Sequence, residues 1–170
     1  KYKNQNIRED GVILEDLFKE IYEKYYKDVY NIAFSYTLSS CDTEDIVQKV
    51  FMKLFKNIKK FNSSDINVKK WLFILCANES KDLLKSFWRS KKSNYELEEI
   101  PYNTNTDSFI ILDILKDFDS KYRIPFYLHY YEGYTSKEIA EILKISKSAV
   151  EVRLFRIKKM IKDKLGDDFL

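Results

Sequence analysis

Apolar residues recur at helical spacing from Val12 to about Leu38, through Leu14, Leu17, Phe18, Ile21, Tyr25, Val29, Ile32, Ala33 and Tyr36. Side chains three and four apart share a helix face, so this run predicts one long helix, broken at most once. A polar turn over 39–43 follows, with Asp42 or Thr43 as its expected cap. The next helix is predicted from Glu44 to about Lys60, with Val47, Val50, Phe51, Leu54 and Ile58 as its buried stripe. Beyond the loop 61–67, a third helix runs from Val68 to about Ser90, anchored by Trp71, Leu72, Leu75, Leu83 and Leu84. The pattern then fails from Asn94 to Asp107, a polar stretch around Pro101 that reads as a linker. Periodicity resumes with a helix capped by Asp107 and running through Leu115. Another is predicted from Ser120 to about Glu132, with Pro125 placed near its first turn, where a missing N–H is tolerated.

The segment GYTSKEIAEILKISKSAVEVRLFRIKKMIKDK, from Gly133 to Lys164, reads as a helix-turn-helix. Thr135 and Glu138 stand in capping-box spacing, so that each side chain satisfies a backbone N–H at the helix start. Ile139, Ala140, Ile142 and Leu143 fill the inner side of the first helix. After a turn at Lys144 and Ile145, Ser146 is the expected N-cap of a second helix whose core stripe is Val150, Leu154, Ile157, Ile161 and Leu165. At ~100° per residue, Ser148, Val152, Phe155, Arg156 and Lys159 fall opposite that stripe. An outward Val and Phe beside Arg and Lys suit a major groove, where apolar atoms meet thymine methyls and guanidinium groups meet guanine or phosphate.

Composition sharpens the picture. Three Gly and two Pro against 13 Tyr and 12 Phe in 170 residues favour helices with generous cores over tightly turned sheets. The net charge of +3 says little, but its distribution is uneven. Residues 1–95 carry 18 basic and 13 acidic side chains, 96–119 carry 1 and 7, and 120–170 carry 11 and 7. An acidic connector between two basic bodies predicts a free chain drawn compact, with the connector or the helix beginning at Asp107 lying against a DNA-binding face. Cys41 and Cys76 lack the paired spacing of a zinc site or a disulfide framework, and a reduced, cytoplasmic setting is expected. No apolar run approaches the ~20 residues of a membrane span, so no membrane insertion is expected. The start KYKNQNIRED is no signal peptide. A chain opening on Lys1 rather than Met implies a native start upstream.

Three stretches in order, TEDIVQKVFMKLFKNIKKF, WLFILCANESKDLLK and, after the polar linker, EGYTSKEIAEILKISKSAVEVRLFRIKK, resemble the extracytoplasmic-function sigma factors of bacterial RNA polymerase, within the sigma-70 family. The resemblance implies an all-α protein of two small helical domains joined by a flexible acidic linker. These are a region 2-like bundle over 1–93, a linker over 94–106, and a region 4-like four-helix domain with the helix-turn-helix over 107–170. It implies an alternative sigma factor that binds core polymerase, through the clamp helices of the largest subunit and the flap of the second, and directs promoter-specific initiation. An anti-sigma factor is a further implied partner. No cofactor or metal is expected.

Carried onto this sequence, Asp45 and Gln48 match clamp-binding positions, with Lys49, Met52 and Lys56 on the same outward face. Lys49 stands where the family usually has an acid. Asn62, Asn67, Asn78, Lys81, Lys85 and Arg89 match the surface that receives the minus-10 element, where separated bases need a positive track and polar or aromatic groups. Phe87 and Trp88, on the same helix, are read as core. The family often has basic residues at the positions of Ile74 and Ala77. Ser148, Glu151, Val152, Arg153, Phe155, Arg156 and Lys159 match the helix that reads the minus-35 duplex. Glu151 replaces a usual basic residue; it either accepts a hydrogen bond from cytosine N4 or repels phosphate. Lys144 replaces a frequent turn glycine, a mild cost where the backbone is left-handed.

Two other classes fit less of the chain. A free-standing helix-turn-helix regulator that binds duplex DNA without polymerase would use the C-terminal half and leave the first 90 residues without a role. An enzyme would have to draw on Glu44, Asp45 and the single His129. Carboxylates at a helix start ordinarily serve the helix dipole, and His129 has no evident nucleophile or metal partner.

Overall fold

Leu38 decides where the first corner falls. In the computed structural model, which describes the backbone of residues 3–61, 67–90 and 115–165 and the side chains of 14–61, 68–86 and 115–164, Leu38 takes a left-handed φ of 52°. The preceding helix, α1, spans Lys3–Thr37 without a break. The turn at Leu38 delivers Ser39 in extended conformation, as an N-cap requires, and the Ser39 hydroxyl accepts from the Asp42 N–H that opens α2, Ser40–Asn57. The cap is therefore Ser39, not Asp42 or Thr43. Thr43 instead donates to the Ser39 carbonyl at 2.7 Å and meets the Thr37 hydroxyl at 2.8 Å. These bonds seal the corner, and residues 31–39 are buried without interruption.

Ile46, Val47, Val50, Phe51 and Leu54 form the inner stripe of α2, and Ile58 extends it into a 3-10 turn, Ile58–Lys60. α3, Asn67–Ser90, buries Val68, Leu72, Phe73, Cys76 and Ala77, while Trp71 packs half-buried on Phe61 with ring centroids 4.9 Å apart. Leu75, Leu83 and Leu84 are also only partly buried. α1, α2 and α3 pack on one another as an N-terminal unit. Phe87 and Trp88 belong to α3, but their side chains lie outside the described residues, as do the linker 94–106 and most of the helix expected from Asp107.

The C-terminal unit begins for description at Leu115, which is helical and buried. Asp119 caps α4, Ser120–Phe126, by accepting from the Lys121 N–H at 2.8 Å. Pro125 lies in the second turn rather than the first. Its ring removes an N–H from the ladder, and the chain beyond it widens into a π-helical stretch over Tyr127–Tyr131. Gly133 then adopts φ 74°, a turn that L side chains rarely make, and leads to α5, Ser136–Leu143. α6, Lys147–Leu165, packs on α4 and α5.

The two units also touch. α1 meets α4 and α3 meets α5, and the buried apolar residues of both halves form one continuous cluster. Among the described residues no helix is long and apolar enough to cross a membrane.

Candidate nucleic-acid and partner interfaces

The helix-turn-helix is built from local chemistry. Thr135 accepts from the Glu138 N–H at 3.3 Å, and Glu138 accepts in return from the Thr135 N–H at 2.9 Å and its hydroxyl at 2.7 Å. These bonds, first the hydroxyl and then the N–H, hold the Glu138 carboxyl below the usual range for glutamate. Lys144 closes α5 in the left-handed conformation, φ 55°, the strained turn expected where the family favours glycine. Ser146 caps α6 through the Ala149 N–H at 3.1 Å. Val150, Leu154, Ile157 and Ile161 are buried on its inner side; the side chain of Leu165 lies outside the described residues.

Ser148, Glu151, Val152, Phe155, Arg156 and Lys159 are all exposed on the outer side of α6. Phe155 is the extreme case at 72% exposure, with Val152 at 48%. The Phe155 ring stands in solvent beside the cations Arg156 and Lys159. Arg153 departs from the row, being half-buried near Tyr36 of α1. Lys147 pairs with Glu151 at 3.3 Å, so Glu151 is partly neutralised within its own helix.

The outward face of α2 carries Asp45, Gln48, Lys49, Met52 and Lys56, every one exposed as its position on the helix predicts. Asp45, Gln48, Met52 and Lys56 line an open cleft of about 690 Å³ between α1 and α2, with Phe18, Tyr22, Tyr26, Phe51 and Phe55 as its walls. Lys49 does not line it. The α1 wall is an aromatic ladder in which each ring meets the ring four residues on: Phe18 to Tyr22 at 6.0 Å, Tyr22 to Tyr26 at 5.2 Å, Tyr26 to Tyr30 at 6.1 Å and Tyr30 to Phe34 at 6.3 Å. Tyr22 also meets Phe51 edge-on at 4.7 Å, and Phe18 meets Phe55 at 5.4 Å. Burial, with neighbouring Tyr22, Tyr30 and Glu44, pushes the Tyr26 phenol up from its ordinary value. The i, i+4 repeat of these rings is visible in the sequence. A search for aliphatic stripes passes over it because Tyr22, Tyr26 and Tyr30 count as amphipathic.

The third candidate surface lies on α3. Lys85 is exposed, 3.7 Å from Asp82, and Asn78 is half-buried. Lys81 is not free: its Nζ donates to the Leu143 carbonyl of α5 at 2.7 Å. Burial, followed by the nearby charges of Lys144, Arg153 and Lys85, pulls the Lys81 ammonium below the usual lysine range. Ala77 is fully buried and Ile74 half-buried, so this side of α3 is packed where the family often carries cations. Asn62 and the side chains of Asn67 and Arg89 lie outside the described residues. His129 Nδ1 meets the Tyr134 carbonyl at 2.8 Å, and its ring meets Tyr130 edge-on at 4.7 Å.

Comparison with known families places both halves. Residues 21–90 match the model of sigma-70 region 2, and residues 109–161 match that of sigma-70 region 4. The chain belongs to the extracytoplasmic-function group of the sigma-70 family. It is 25% identical over 151 residues to the ECF RNA polymerase sigma factor SigM of Bacillus subtilis, covering 84% of this chain and 91% of the relative. It is also 25% identical over 177 residues to SigW of the same organism, covering 90% and 91%. In fold it is similar to the sigma factor RpoE solved in complex with the anti-sigma factor NepR from Bartonella quintana. The TM-score is 0.69 at 20% identity, and the match covers 89% of this chain and 98% of that one. CnrH, solved with the cytosolic domain of CnrY, superposes with a TM-score of 0.61 at 19% identity, covering 92% and 97%. The protein is thus an alternative sigma factor that directs transcription initiation, in a family of non-catalytic specificity subunits of RNA polymerase.

Proposed function

We infer that the α1–α2 cleft is the seat of core polymerase, that α6 reads the minus-35 duplex through Ser148, Val152, Phe155 and Arg156, and that α3 offers Asn78, Lys81 and Lys85 to the minus-10 element. The cleft carries the reading. Exposed Met52 and Phe55 at its lip, with Tyr22 and Tyr26 in its wall, form an apolar patch that a solvated face would not keep, and a groove between two helices is shaped to take a helical partner. Asp45 and Gln48 border that patch and supply polar anchors at its rim. Methionine adapts to a partner's contour, which suits Met52 to a contact that forms and breaks with each initiation cycle.

The two DNA readings rest on different support. On α6 it is the exposed mixture of apolar and guanidinium side chains, which fits base edges in a major groove. On α3 it is a cationic row suited to a separated strand. The protein is read as non-catalytic, working in the cytoplasm with no membrane insertion. An anti-sigma factor is proposed as a further partner because the sigma factors it resembles in fold were solved with anti-sigma proteins.

Capture of purified core polymerase tests the seat. Asp45→Arg combined with Gln48→Ala abolishes retention of polymerase while circular dichroism of the variant matches the wild type. Retention at the wild-type level removes the cleft from the interface.

A further inference from the structure

The chain has two cysteines and two methionines, and the fold places their sulfurs very differently. Cys76 is fully buried, and burial pushes its thiol up to about 12, so it stays protonated and unreactive. Met160 lies toward the C-terminal end of α6 and is 37% exposed. Cys41 and Met52 both stand on α2 and both are exposed, Met52 to 53%. Cys41, Asp45, Gln48 and Met52 follow one another at steps of four, three and four residues, so they share the outward face of that helix.

Met52 is the sulfur that lines the α1–α2 cleft, together with Phe18, Tyr22, Phe51 and Phe55. A thioether at such a lip is soft and apolar, which lets it follow the contour of a docked helix. In the free chain the same sulfur is open to solvent. A peroxide, as a two-electron oxidant, transfers one oxygen atom to it and leaves as water or an alcohol. The side chain becomes a sulfoxide, polar and chiral. Its new oxygen asks for a hydrogen-bond donor, and the phenyl rings of Phe18, Phe51 and Phe55 have none to give. Covering that lip with a partner helix then buries a poorly satisfied polar group, which opposes docking. The fold itself is spared, because Met52 stands off the buried stripe of Ile46, Val50 and Leu54.

We propose that Met52 is an oxidative modification site, at which a peroxide converts the thioether of the free chain to the sulfoxide and thereby keeps core polymerase out of the cleft. Reduction by a dithiol reverses the step and yields thioether, disulfide and water. The proposal rests on the reading of the cleft as the polymerase seat. A docked polymerase covers the sulfur, so the modification acts on the free chain and spares the chain already bound.

The full chain in a Cys41→Ser background tests it, with hydrogen peroxide as the oxidant and peptide mass spectrometry to read each methionine. Sulfoxide at Met52 lowers capture of purified core polymerase about tenfold. The two sulfoxide reductases, one for each epimer, restore capture when supplied with a dithiol. Polymerase added before the peroxide slows oxidation of Met52. Met52→Leu, whatever its own starting level, captures equally before and after peroxide, whereas Met160→Leu remains sensitive. Full conversion of Met52 with unchanged capture overturns the proposal, and so does an equal fall in the Met52→Leu chain. Loss of helical signal on oxidation overturns it too, by making the effect one of folding. The Asp45→Arg with Gln48→Ala chain separates the two claims: if it retains polymerase, the seat reading fails. If it loses polymerase while the sulfoxide chain binds normally, the modification site alone falls.

Discussion

The two helices proposed to meet DNA, α6 and α3, are prepared for it in opposite ways. α6 is finished by local chemistry: a capping box and a left-handed turn set its entry, one side is buried, and Val152, Phe155 and Arg156 stand in solvent. α3 is the shared wall of both halves, with Phe73 and Ala77 buried and Lys81 bonded to the far unit. A helix with one free face can sample duplex at any time. A helix packed on both sides leaves only part of its surface, Lys85 included, in solvent. On the proposed reading, the upstream face is exposed, whereas Lys81 of the downstream face is engaged with the Leu143 carbonyl.

The strongest way to break the contrast is through the core of α3. Phe73→Ala removes a fully buried ring that serves both halves and lowers stability by about 3–5 kcal/mol, in one cooperative transition. Two separated transitions in calorimetry would show the halves to be independent and the contrast empty. Next comes the free face of α6. Phe155→Ala and Arg156→Ala each weaken promoter binding by ~1–3 kcal/mol at one position of the upstream element and leave the melting temperature unchanged. Equal weakening on every promoter, or a large fall in melting temperature, would remove α6 from the groove.

Smaller effects sharpen the local side of the comparison. Thr135→Ala removes a cap from α5 and costs about 1 kcal/mol in denaturant unfolding, whereas an unchanged midpoint would show that α3 alone holds the turn in place. Acid reports on the same box. Because the folded carboxyl of Glu138 lies below its unfolded value of about 4.3, its contribution is complete above that pH and is lost as pH falls through the lowered folded value. Thr135→Ala should flatten that portion of the acid-unfolding profile, and an identical profile would show that the bond contributes nothing.

What could be read from the sequence divides along the same line. The helix-turn-helix was legible because its signals are short-range: Thr135 and Glu138 three apart, Ser146 before α6, and a stripe from Val150 to Ile161 at helical spacing. The outward row on α2 was legible for the same reason, though Tyr22 and Tyr26, which wall the cleft, were hidden by their mixed character. The corner at Leu38 was not, because an apolar residue in left-handed backbone carries no turn signature and moved the cap to Ser39. Nor was the union of the halves. Lys69 with Glu132, Lys70 with Glu141 and Lys81 with the Leu143 carbonyl join positions more than sixty residues apart, and no periodicity announces them. The docking expected of the acidic connector falls on residues outside those described, and the described contacts between the halves include Lys69 with Glu132, Phe73 with Tyr134 and Arg123 with the Ser35 carbonyl. From the acidic segment, Asp117 pairs with Lys164 of α6, and residues 96–114 lie outside the described residues.

The most direct test of the sigma reading is transcription in vitro with purified core polymerase on a library of promoter fragments, with and without the chain. The account predicts start sites that appear only when the chain is added, share an upstream and a downstream element, and vanish with Asp45→Arg and Gln48→Ala. Start sites indifferent to the chain, together with tight binding to palindromic duplex in the absence of polymerase, would contradict it.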